Sequence, residues 1–204
     1  MHLPALIIFV KNPVLGRVKT RLAAEVGLEK ALEVYFDLLH RARRCALEYP
    51  GEKRVYYSDW IPEHDFWETN TFQKNLQMGG DLGMRMSNAF DDVLMTAGPA
   101  LLIGSDCPYL TSELLLDAAH QLELQDCVLG PAKDGGYYLI GLRKPVSGIF
   151  EDITWSSGSV LQQTLSALQK AQASYHLLPT LEDIDTLADW NRFVSSLDSG
   201  GTSL

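Results

Sequence analysis

The sequence predicts an α/β fold of three layers, in which helices cover both faces of a mainly parallel β-sheet. Short apolar runs alternate with helical segments along the whole chain, and this alternation is typical of βαβ units. Residues 5–10 and 100–103 are continuously apolar, as expected of strands that are buried on both faces. No repeat, low-complexity tract or linker divides the 204 residues. We therefore predict one domain, residues 1–204, with a disordered tail at 198–204.

Each predicted element follows from the spacing of its apolar residues and from the turn residues that bound it. We predict strands at 5–10, 54–58, 100–103, 126–130, 137–142 and 175–178. We predict helices at 20–48, 81–97, 111–124, 157–171 and 186–197. Gly27 can divide the first helix into two, and a proline–glycine turn at 50–51 ends it. The aromatic segment 59–71 has no clear periodicity and predicts no regular element.

Composition and charge limit the classes of partner. The hydrophobic fraction is 46% and the charged fraction 21%, both ordinary for globular domains. A net charge of −9 disfavours nucleic acid and anionic membranes, because like charges repel, and we expect neither as a partner. The three cysteines are an odd number without a CxxC pair, which argues against a disulfide framework or a thiolate zinc site. With no targeting segment or membrane span in the sequence, we expect a cytoplasmic protein.

The loop after the first strand concentrates positive charge. Residues 11–21 hold four of the 17 basic residues, where an even spread would put about one. Cations are unfavourable at a helix start unless an anion compensates them, so the loop is either a phosphate site or a solvated basic helix start. Neither GxxxxGK[ST] nor GxGxxG occurs here, which disfavours a P-loop or a dinucleotide fingerprint. The residues that we predict to bind nucleotide phosphates are Lys11, Pro13, Gly16, Arg17, Lys19 and Arg21.

Acidic residues follow two of the predicted strands. Asp106 comes just after the strand at 100–103, beside Ser105, which we add to the nucleotide site. A second acidic group follows the last strand, and its alternative role is to cap the final helix. Carboxylates brought together repel one another unless a cation lies between them, and hard divalent cations prefer oxygen ligands. The residues that we predict to hold Mg²⁺ or Mn²⁺ are Asp106, Glu182, Asp183 and Asp185.

Two glycine-rich stretches complete the predicted site. The first, 77–85, precedes a helix and is either a loop that contacts the base or ribose or a plain loop with a helix cap. Its candidate binding residues are Gly80, Asp81, Gly83 and Arg85. The second, 130–138, resembles an acceptor-side loop between two strands, with the candidates Lys133, Asp134, Gly135 and Gly136. Residues 155–159 form either part of the acceptor pocket or an ordinary turn before a helix.

Five motifs, taken in order, resemble the bacterial DUF2064 family. They are Lys11-x-Pro-x-x-Gly-x-x-Lys-Thr-Arg-Leu22, Gly80-Asp-Leu-Gly-x-Arg-Met86, Gly104-Ser-Asp-Cys-Pro108, Lys133-Asp-Gly-Gly-Tyr137 and Asp183-Ile-Asp-Thr-x-x-Asp189. The resemblance implies the GT-A fold of nucleotide-diphospho-sugar transferases, whose members include phospholactate and molybdenum-cofactor guanylyltransferases. It also implies that Asp106 holds a metal, with Asp185 and Glu182 in the position of the relatives' C-terminal metal acids. Residues 11–16 replace the paired glycines of the sugar nucleotidyltransferases, so the base-recognition residues of those enzymes are not carried over.

These features predict a transferase with Lys19, Arg21 and Asp106 as catalytic residues. In a nucleotidyl version, a small phosphorylated acceptor attacks the α-phosphate of a nucleoside triphosphate and pyrophosphate leaves. In a glycosyl version, a small-molecule acceptor attacks the anomeric carbon of a nucleotide sugar and a nucleoside diphosphate leaves. The basic loop suits a triphosphate and favours the nucleotidyl version. A nucleotide-binding module without turnover is the third alternative, because it needs the phosphate loop but not both metal acids.

Overall fold

The computed structural model describes residues 3–200 and contains one mixed β-sheet flanked by helices. Its strands are β1 (Ala5–Val10), β2 (Lys53–Tyr57), β3 (Gln73–Leu76), β4 (Ala100–Ile103), β5 (Cys127–Pro131), β6 (Tyr137–Leu142) and β7 (Tyr175–Leu177). Its helices are α1 (Thr20–Val26), α2 (Leu28–Glu48), α3 (Leu82–Thr96), α4 (Ser112–Leu124), α5 (Val160–Lys170) and α6 (Leu187–Gly200). Strands and helices alternate along most of the chain, which confirms the predicted fold class.

The sheet has the strand order β3-β2-β1-β4-β6-β5-β7. β6 runs antiparallel to both of its neighbours, β4 and β5, and the other pairs of neighbouring strands are parallel. The carboxyl ends of the six parallel strands therefore lie along one edge of the sheet. In sheets of this kind, ligands bind beyond that edge.

The two faces of the sheet are covered by different pairs of helices. Alternate residues of β1 point to opposite faces, as the period of a strand requires. One face packs against α2 and α4 in a core cluster that contains Leu6 and Ile8. The other face packs against α3 and α5 in a cluster that contains Ile7 and Phe9. Every residue of β1 is buried, which accounts for its continuously apolar sequence.

A third, smaller core lies between α1, α2 and α6. Leu22 of α1, Leu38 of α2 and Phe193 of α6 are its buried members, together with Ile184 from the loop before α6. Because Ile184 is fully buried, the packing of α6 fixes the acidic segment on either side of it. The third core therefore determines where the C-terminal carboxylates lie.

One strand lacks a sequence signal, and some helix ends lie elsewhere than predicted. β3 is an edge strand that pairs with β2 and consists of Gln-Lys-Asn-Leu, so it lacks the apolar run by which buried strands are found. The helical segment predicted at 20–48 is divided at Gly27, as that glycine suggested, and its φ of 87° is accessible to glycine. α6 continues to Gly200, beyond the predicted end at 197. Of the tail predicted at 198–204, residues 201–204 lie outside the described residues.

Two further properties concern the helices and the cysteines. No helix within residues 3–200 is both long enough and apolar enough to cross a membrane. Cys45, Cys107 and Cys127 are all free thiols, and the sequence predicted no disulfide framework.

Substituting Gly130 tests the packing of the β5–β6 hairpin. A Cβ at Gly130 would overlap the ring of Tyr138, and that ring is held because its hydroxyl donates to the Pro179 carbonyl at 2.9 Å. We expect Gly130→Ala to destabilise the protein by about 1–3 kcal/mol, through overpacking, and to lower Tm by roughly 3–10 °C. Gly104→Ala is the control, because a Cβ there meets no atom within 4 Å. Equal melting temperatures for the two variants would contradict this account.

Candidate functional site

Three distant segments of the chain meet at the carboxyl edge of the sheet. β1 and β4 are neighbours and parallel, so the loops that follow them, 11–19 and 104–108, emerge side by side. The third segment, 181–185, is attached to the hairpin between β5 and β6 by a bridge from Leu181 to Ala132. It is joined to the loop after β4 by a hydrogen bond of 2.9 Å, which the Ile184 N–H donates to the Asp106 carbonyl.

Lys19 connects these segments through its ammonium group. Its Nζ lies 2.7 Å from Asp106 Oδ1 and 3.4 Å from Asp185 Oδ1, and it donates to the Ile184 carbonyl at 2.6 Å. The side chain is only 3% exposed, and the backbone has φ 47° and ψ 45°, the left-handed conformation that is uncommon for a lysine. Arg21 differs, because it is 73% exposed and lies 3.7 Å from Asp185 Oδ2.

Carboxylates outnumber cations around Lys19. Burial raises the pKa of the Asp183 carboxyl to about 7, and the nearby carboxylates of Asp106 and Asp134 act in the same direction. Asp183 Oδ1 is buried and has no hydrogen-bond partner among the described residues. Asp106 Oδ1 is also buried without a hydrogen bond, although it forms the ion pair with Lys19. A buried carboxylate oxygen without a partner is costly in a protein interior, so Asp183 Oδ1 indicates a position for a further cation beside Asp106.

The residues present fit a hard divalent cation, but they do not form a ready-made cage. Within residues 3–200, no three His, Cys, Asp or Glu side chains are grouped closely enough to hold a metal by themselves. The carboxylate oxygens of Asp106 and Asp183 are of the ligand type that Mg²⁺ and Mn²⁺ prefer. Such ions commonly use one or two carboxylates together with phosphate oxygens of the substrate. Asp106 and Asp183 provide the two carboxylates that this arrangement needs.

Glu182 is engaged elsewhere. Its carboxylate accepts from Arg192 at 2.7 Å and from Lys133 at 3.4 Å, and Asp189 caps the start of α6 by accepting from the Thr186 N–H. Glu182 does not border any of the cavities that Asp106 borders. Of the four predicted metal ligands, Asp106, Asp183 and Asp185 border one cavity and Glu182 does not.

Three adjoining cavities share Asp106 in their walls. The largest, about 620 Å³, also borders Asp134, Gly136 and residues 155–158. A second, about 300 Å³, includes Lys11 and Ser105. A third, about 200 Å³, lies over the start of α1. Another cavity of about 620 Å³ lies elsewhere, around the end of α5 and residues 144–153, and none of the predicted site residues borders it.

Two residues that the sequence analysis missed hold the loop after β1. Asn12 is 2% exposed, and its amide donates to the Trp60 carbonyl at 2.9 Å and accepts from the Asp59 N–H at 3.0 Å. Tyr35 of α2 accepts from the Lys11 N–H and donates to the Lys11 carbonyl, both at 2.9 Å. Neither had a sequence signal, since Asn12 lies among the charged residues and Tyr35 lies within the apolar pattern of a helix.

The loop before α3 serves mainly to shape the site. Asp81 is the N-cap of α3 and accepts from the Met84 N–H at 2.8 Å, and Arg85 donates to the Gly79 carbonyl at 3.2 Å. A Cβ at Gly83 would clash with Trp155. None of the four candidates Gly80, Asp81, Gly83 and Arg85 borders the three cavities that Asp106 borders. Of this stretch, Gln77 and Leu82 border them.

The predicted phosphate loop is only partly directed at the cavities. Of its six candidates, the described structure places Lys11, Lys19 and Arg21 at cavity walls. Pro13, Gly16 and Arg17 lie outside those walls. Gly16 has a φ of 76°, which supports the turn that directs the chain towards α1.

The predicted acceptor loop is divided in the same way. Asp134 and Gly136 border the largest cavity, whereas Lys133 is directed towards Glu182. Gly135 has a φ of 90°, and a Cβ there would overlap the backbone of Gly158. This close contact joins the acceptor loop to residues 155–158, which line the cavity rather than forming an isolated turn.

Asp183 gives a prediction for stability. Because its folded pKa of about 7 exceeds the value near 3.9 of an unfolded chain, folding becomes less favourable as pH rises between about 4 and 7. Asp183→Asn removes this effect, so with chelator present we expect its Tm to exceed that of the parent by roughly 2–6 °C at pH 8. The advantage should shrink at pH 5. Melting curves of the parent, Asp183→Asn and the exposed control Asp91→Asn check this, and an equal gain at both pH values would contradict it.

Comparisons with known proteins agree with the fold and the motifs. Residues 41–157, more than half of the chain, match the family described as "Uncharacterized protein conserved in bacteria (DUF2064)". A Desulfovibrio desulfuricans G20 protein, provisionally described as a nucleotide-diphospho-sugar transferase, is 30% identical. The alignment covers 98% of this chain and 90% of that one, with a TM-score of 0.88. A search of curated proteins finds no match.

More distant solved structures share the fold alone. The inositol-1-phosphate CTP transferase of T. maritima is 15% identical, covers 100% of this chain and 99% of its own, and has a TM-score of 0.64. Rv0371c of Mycobacterium tuberculosis H37Rv, in complex with manganese, is 12% identical over 96% of this chain and 100% of its own, with a TM-score of 0.56.

Proposed function

The chain belongs to the DUF2064 family, and we propose that it is a metal-dependent transferase that binds the phosphates of a nucleotide between the loop after β1 and Asp106. The observation that carries this proposal is the buried carboxylate oxygen Oδ1 of Asp183, which has no hydrogen-bond partner among the described residues and borders the same cavities as Asp106. The two residues lie at a cleft whose walls also contain the cations Lys11 and Arg21. A nucleotide phosphate with a divalent cation would satisfy both sets of charges.

In this proposal Asp106 and Asp183 hold Mg²⁺ or Mn²⁺, with Asp185 beside them. The manganese in the similarly folded Rv0371c structure supports the choice of ion. When bound, such an ion would neutralise charge on the leaving phosphate group. The exposed side chains of Lys11 and Arg21 would contact phosphate oxygens from the wall of the same cleft. The three free thiols support the proposal that the reaction takes place in the cytoplasm.

The reaction that we place first is nucleotidyl transfer from a nucleoside triphosphate to a small phosphorylated acceptor. An acceptor phosphate oxygen forms a bond to the α-phosphorus, and the bond from that phosphorus to the bridging oxygen of pyrophosphate breaks. Lys11 and Arg21 would stabilise charge that develops on the phosphates. The fold shared with the inositol-1-phosphate CTP transferase supports this version.

Glycosyl transfer from a nucleotide sugar is the second candidate, and the composition of the largest cavity favours it. Trp155 and Tyr137 line that cavity together with Asp134, and an aromatic ring beside a carboxylate suits a neutral, hydroxyl-rich ligand. Arg21 is the only Lys or Arg among the described residues that border this cavity. The description of the 30% identical Desulfovibrio protein points the same way.

Thermal unfolding with candidate ligands tests the proposal and separates its versions. The protein is melted with each nucleoside triphosphate and with several nucleotide sugars, in the presence and absence of Mg²⁺ or Mn²⁺. A ligand at about 100 times its Kd adds roughly 2.7 kcal/mol, which for this length raises Tm by roughly 5–11 °C. Metal-dependent stabilisation by a triphosphate supports nucleotidyl transfer. Metal-dependent stabilisation by a nucleotide sugar supports glycosyl transfer. No shift with any ligand in the presence of metal would refute the nucleotide site.

Asp106→Asn tests whether the site performs turnover. Removing a carboxylate that holds the ion should lower kcat/KM at least about 100-fold, measured as release of pyrophosphate or of nucleoside diphosphate from whichever ligand stabilises the protein. Asp91→Asn is the matched control, because it changes net charge equally at an exposed position of α3. Turnover in neither the parent nor the control, with nucleotide binding retained, would instead indicate a binding module.

A further inference from the structure

The environment of Lys19 differs from that of the other cations at the site. Lys11 and Arg21 are exposed, as expected for side chains that meet a diffusing ligand. The Lys19 side chain is 3% exposed, and its ammonium lies 2.7 Å from Asp106 Oδ1 and 3.4 Å from Asp185 Oδ1. The Ile184 carbonyl accepts its third contact at 2.6 Å. The three polar contacts of the ammonium are therefore all with protein oxygens.

The backbone makes this placement difficult to change. Lys19 is the N-cap of α1 in the left-handed region, with φ 47° and ψ 45°. A non-glycine residue remains there only when the surrounding structure holds it. Its carbonyl accepts from the Ala23 N–H at 2.8 Å in the first turn of α1. The side chain is thus fixed at both ends, and it is poorly placed to swing out and grip a phosphate.

We propose that Lys19 is a positioning residue that acts as a tethered counter-ion, holding Asp106 and Asp185 in place and making tight binding of a divalent cation depend on nucleotide phosphates. The ammonium contacts the carboxylates of Asp106 and Asp185, and the carboxyl of Asp183 interacts electrostatically with Lys19 and with both of them. Lys19 supplies one fixed positive charge among them. It therefore keeps the acidic group together and repels any second cation that approaches the same oxygens.

The charge balance explains why a nucleotide would remove this repulsion. A divalent cation at Asp106 lies beside the Lys19 ammonium, and like charges at such short range disfavour binding in a poorly solvated site. Nucleotide phosphates add several negative charges next to both cations. Since coupling between two ligands is reciprocal, metal and nucleotide would each strengthen the binding of the other. The nucleotide half of this inference rests on the proposed function, whereas the metal half does not.

Binding of Mn²⁺ alone tests the metal half directly. Free Mn²⁺ is counted by electron paramagnetic resonance during titration of the full-length parent, Lys19→Met and Lys19→Gln. The glutamine variant keeps a donor for the Ile184 carbonyl, which Lys19 contacts, without the charge. Lys170→Met is the matched control, because it removes one positive charge at an exposed position far along α5.

We expect the two Lys19 variants to bind Mn²⁺ at least about tenfold more tightly than the parent, because the repulsion from one nearby positive charge is gone. Lys170→Met should stay within about twofold of the parent, since an exposed and distant charge is screened. Unchanged or weaker Mn²⁺ binding by the folded Lys19 variants would overturn the proposal. So would failure of both variants to fold, because Lys19 would then be required for the core rather than for the ion.

A second titration includes a nucleoside triphosphate or the nucleotide sugar that stabilises the protein. In the parent, the nucleotide should raise Mn²⁺ affinity at least to that of Lys19→Met without nucleotide, because the phosphate charge offsets the repulsion from the fixed ammonium. No rise in the Mn²⁺ affinity of the parent when nucleotide is bound would overturn the dependence on phosphates. If no nucleotide binds to any variant while the Lys19 variants still bind Mn²⁺ more tightly, the proposed function fails and the role of Lys19 as a counter-ion stands.

Discussion

The contact between the Lys19 ammonium and the Asp106 carboxylate determines the arrangement of the site. It joins the loop after β1 to the loop after β4 and, through the Ile184 carbonyl, to the segment that precedes α6. These three segments are far apart in the sequence. The Lys19 side chain is 3% exposed and that of Asp106 is 43% exposed, and an ion pair of this kind contributes little net stability. Its contribution here is to fix the relative positions of groups that must act together.

The residues around the contact between Lys19 and Asp106 show how the fold supports it. Ile184 is buried between α1, α2 and α6, and its N–H donates to the Asp106 carbonyl. Hydrogen bonds fix the chain just after β1 from two directions. Tyr35 of α2 accepts from the backbone there, and Asn12 of that chain bonds to the loop after β2. The charged groups are therefore carried on short loops whose backbones are hydrogen-bonded on several sides. Such support is what a site needs if its geometry is to be set before the ligand arrives.

The sequence was sufficient for the fold class and for the general position of the site. Continuous apolar runs identified β1 and β4, and the charged residues directly after them followed from the rule for parallel sheets. The edge strand β3 was missed because its residues are mostly polar. Lys133 and Glu182 were assigned to two different sites, yet they pair with each other. Side-chain direction in loops depends on contacts from distant residues, and no local pattern encodes it.

The glycines also divide by role in a way that the sequence did not show. Gly83 and Gly135 were expected near a ligand, and the structure instead uses them where Trp155 and the backbone of Gly158 approach closely. Both contacts bring residues 155–158 against the rest of the cleft. A glycine-rich motif thus indicates that the backbone lies close to another group. Only the structure shows whether that group belongs to a ligand or to the protein itself.

The reversed strand β6 has a consequence for how related proteins can diverge. Because β6 is antiparallel to β5, the two are joined by a short hairpin at the ligand edge, with no helix crossing the sheet between them. The hairpin carries Asp134 into the wall of the largest cavity. Because the bridge from Ala132 to Leu181 also attaches the acidic segment 181–185 to this hairpin, an insertion, deletion or exchange in the turn would alter the cavity wall and the support of that segment together. The wall at Asp134 and the carboxylates that follow Leu181 are therefore constrained to diverge as one unit.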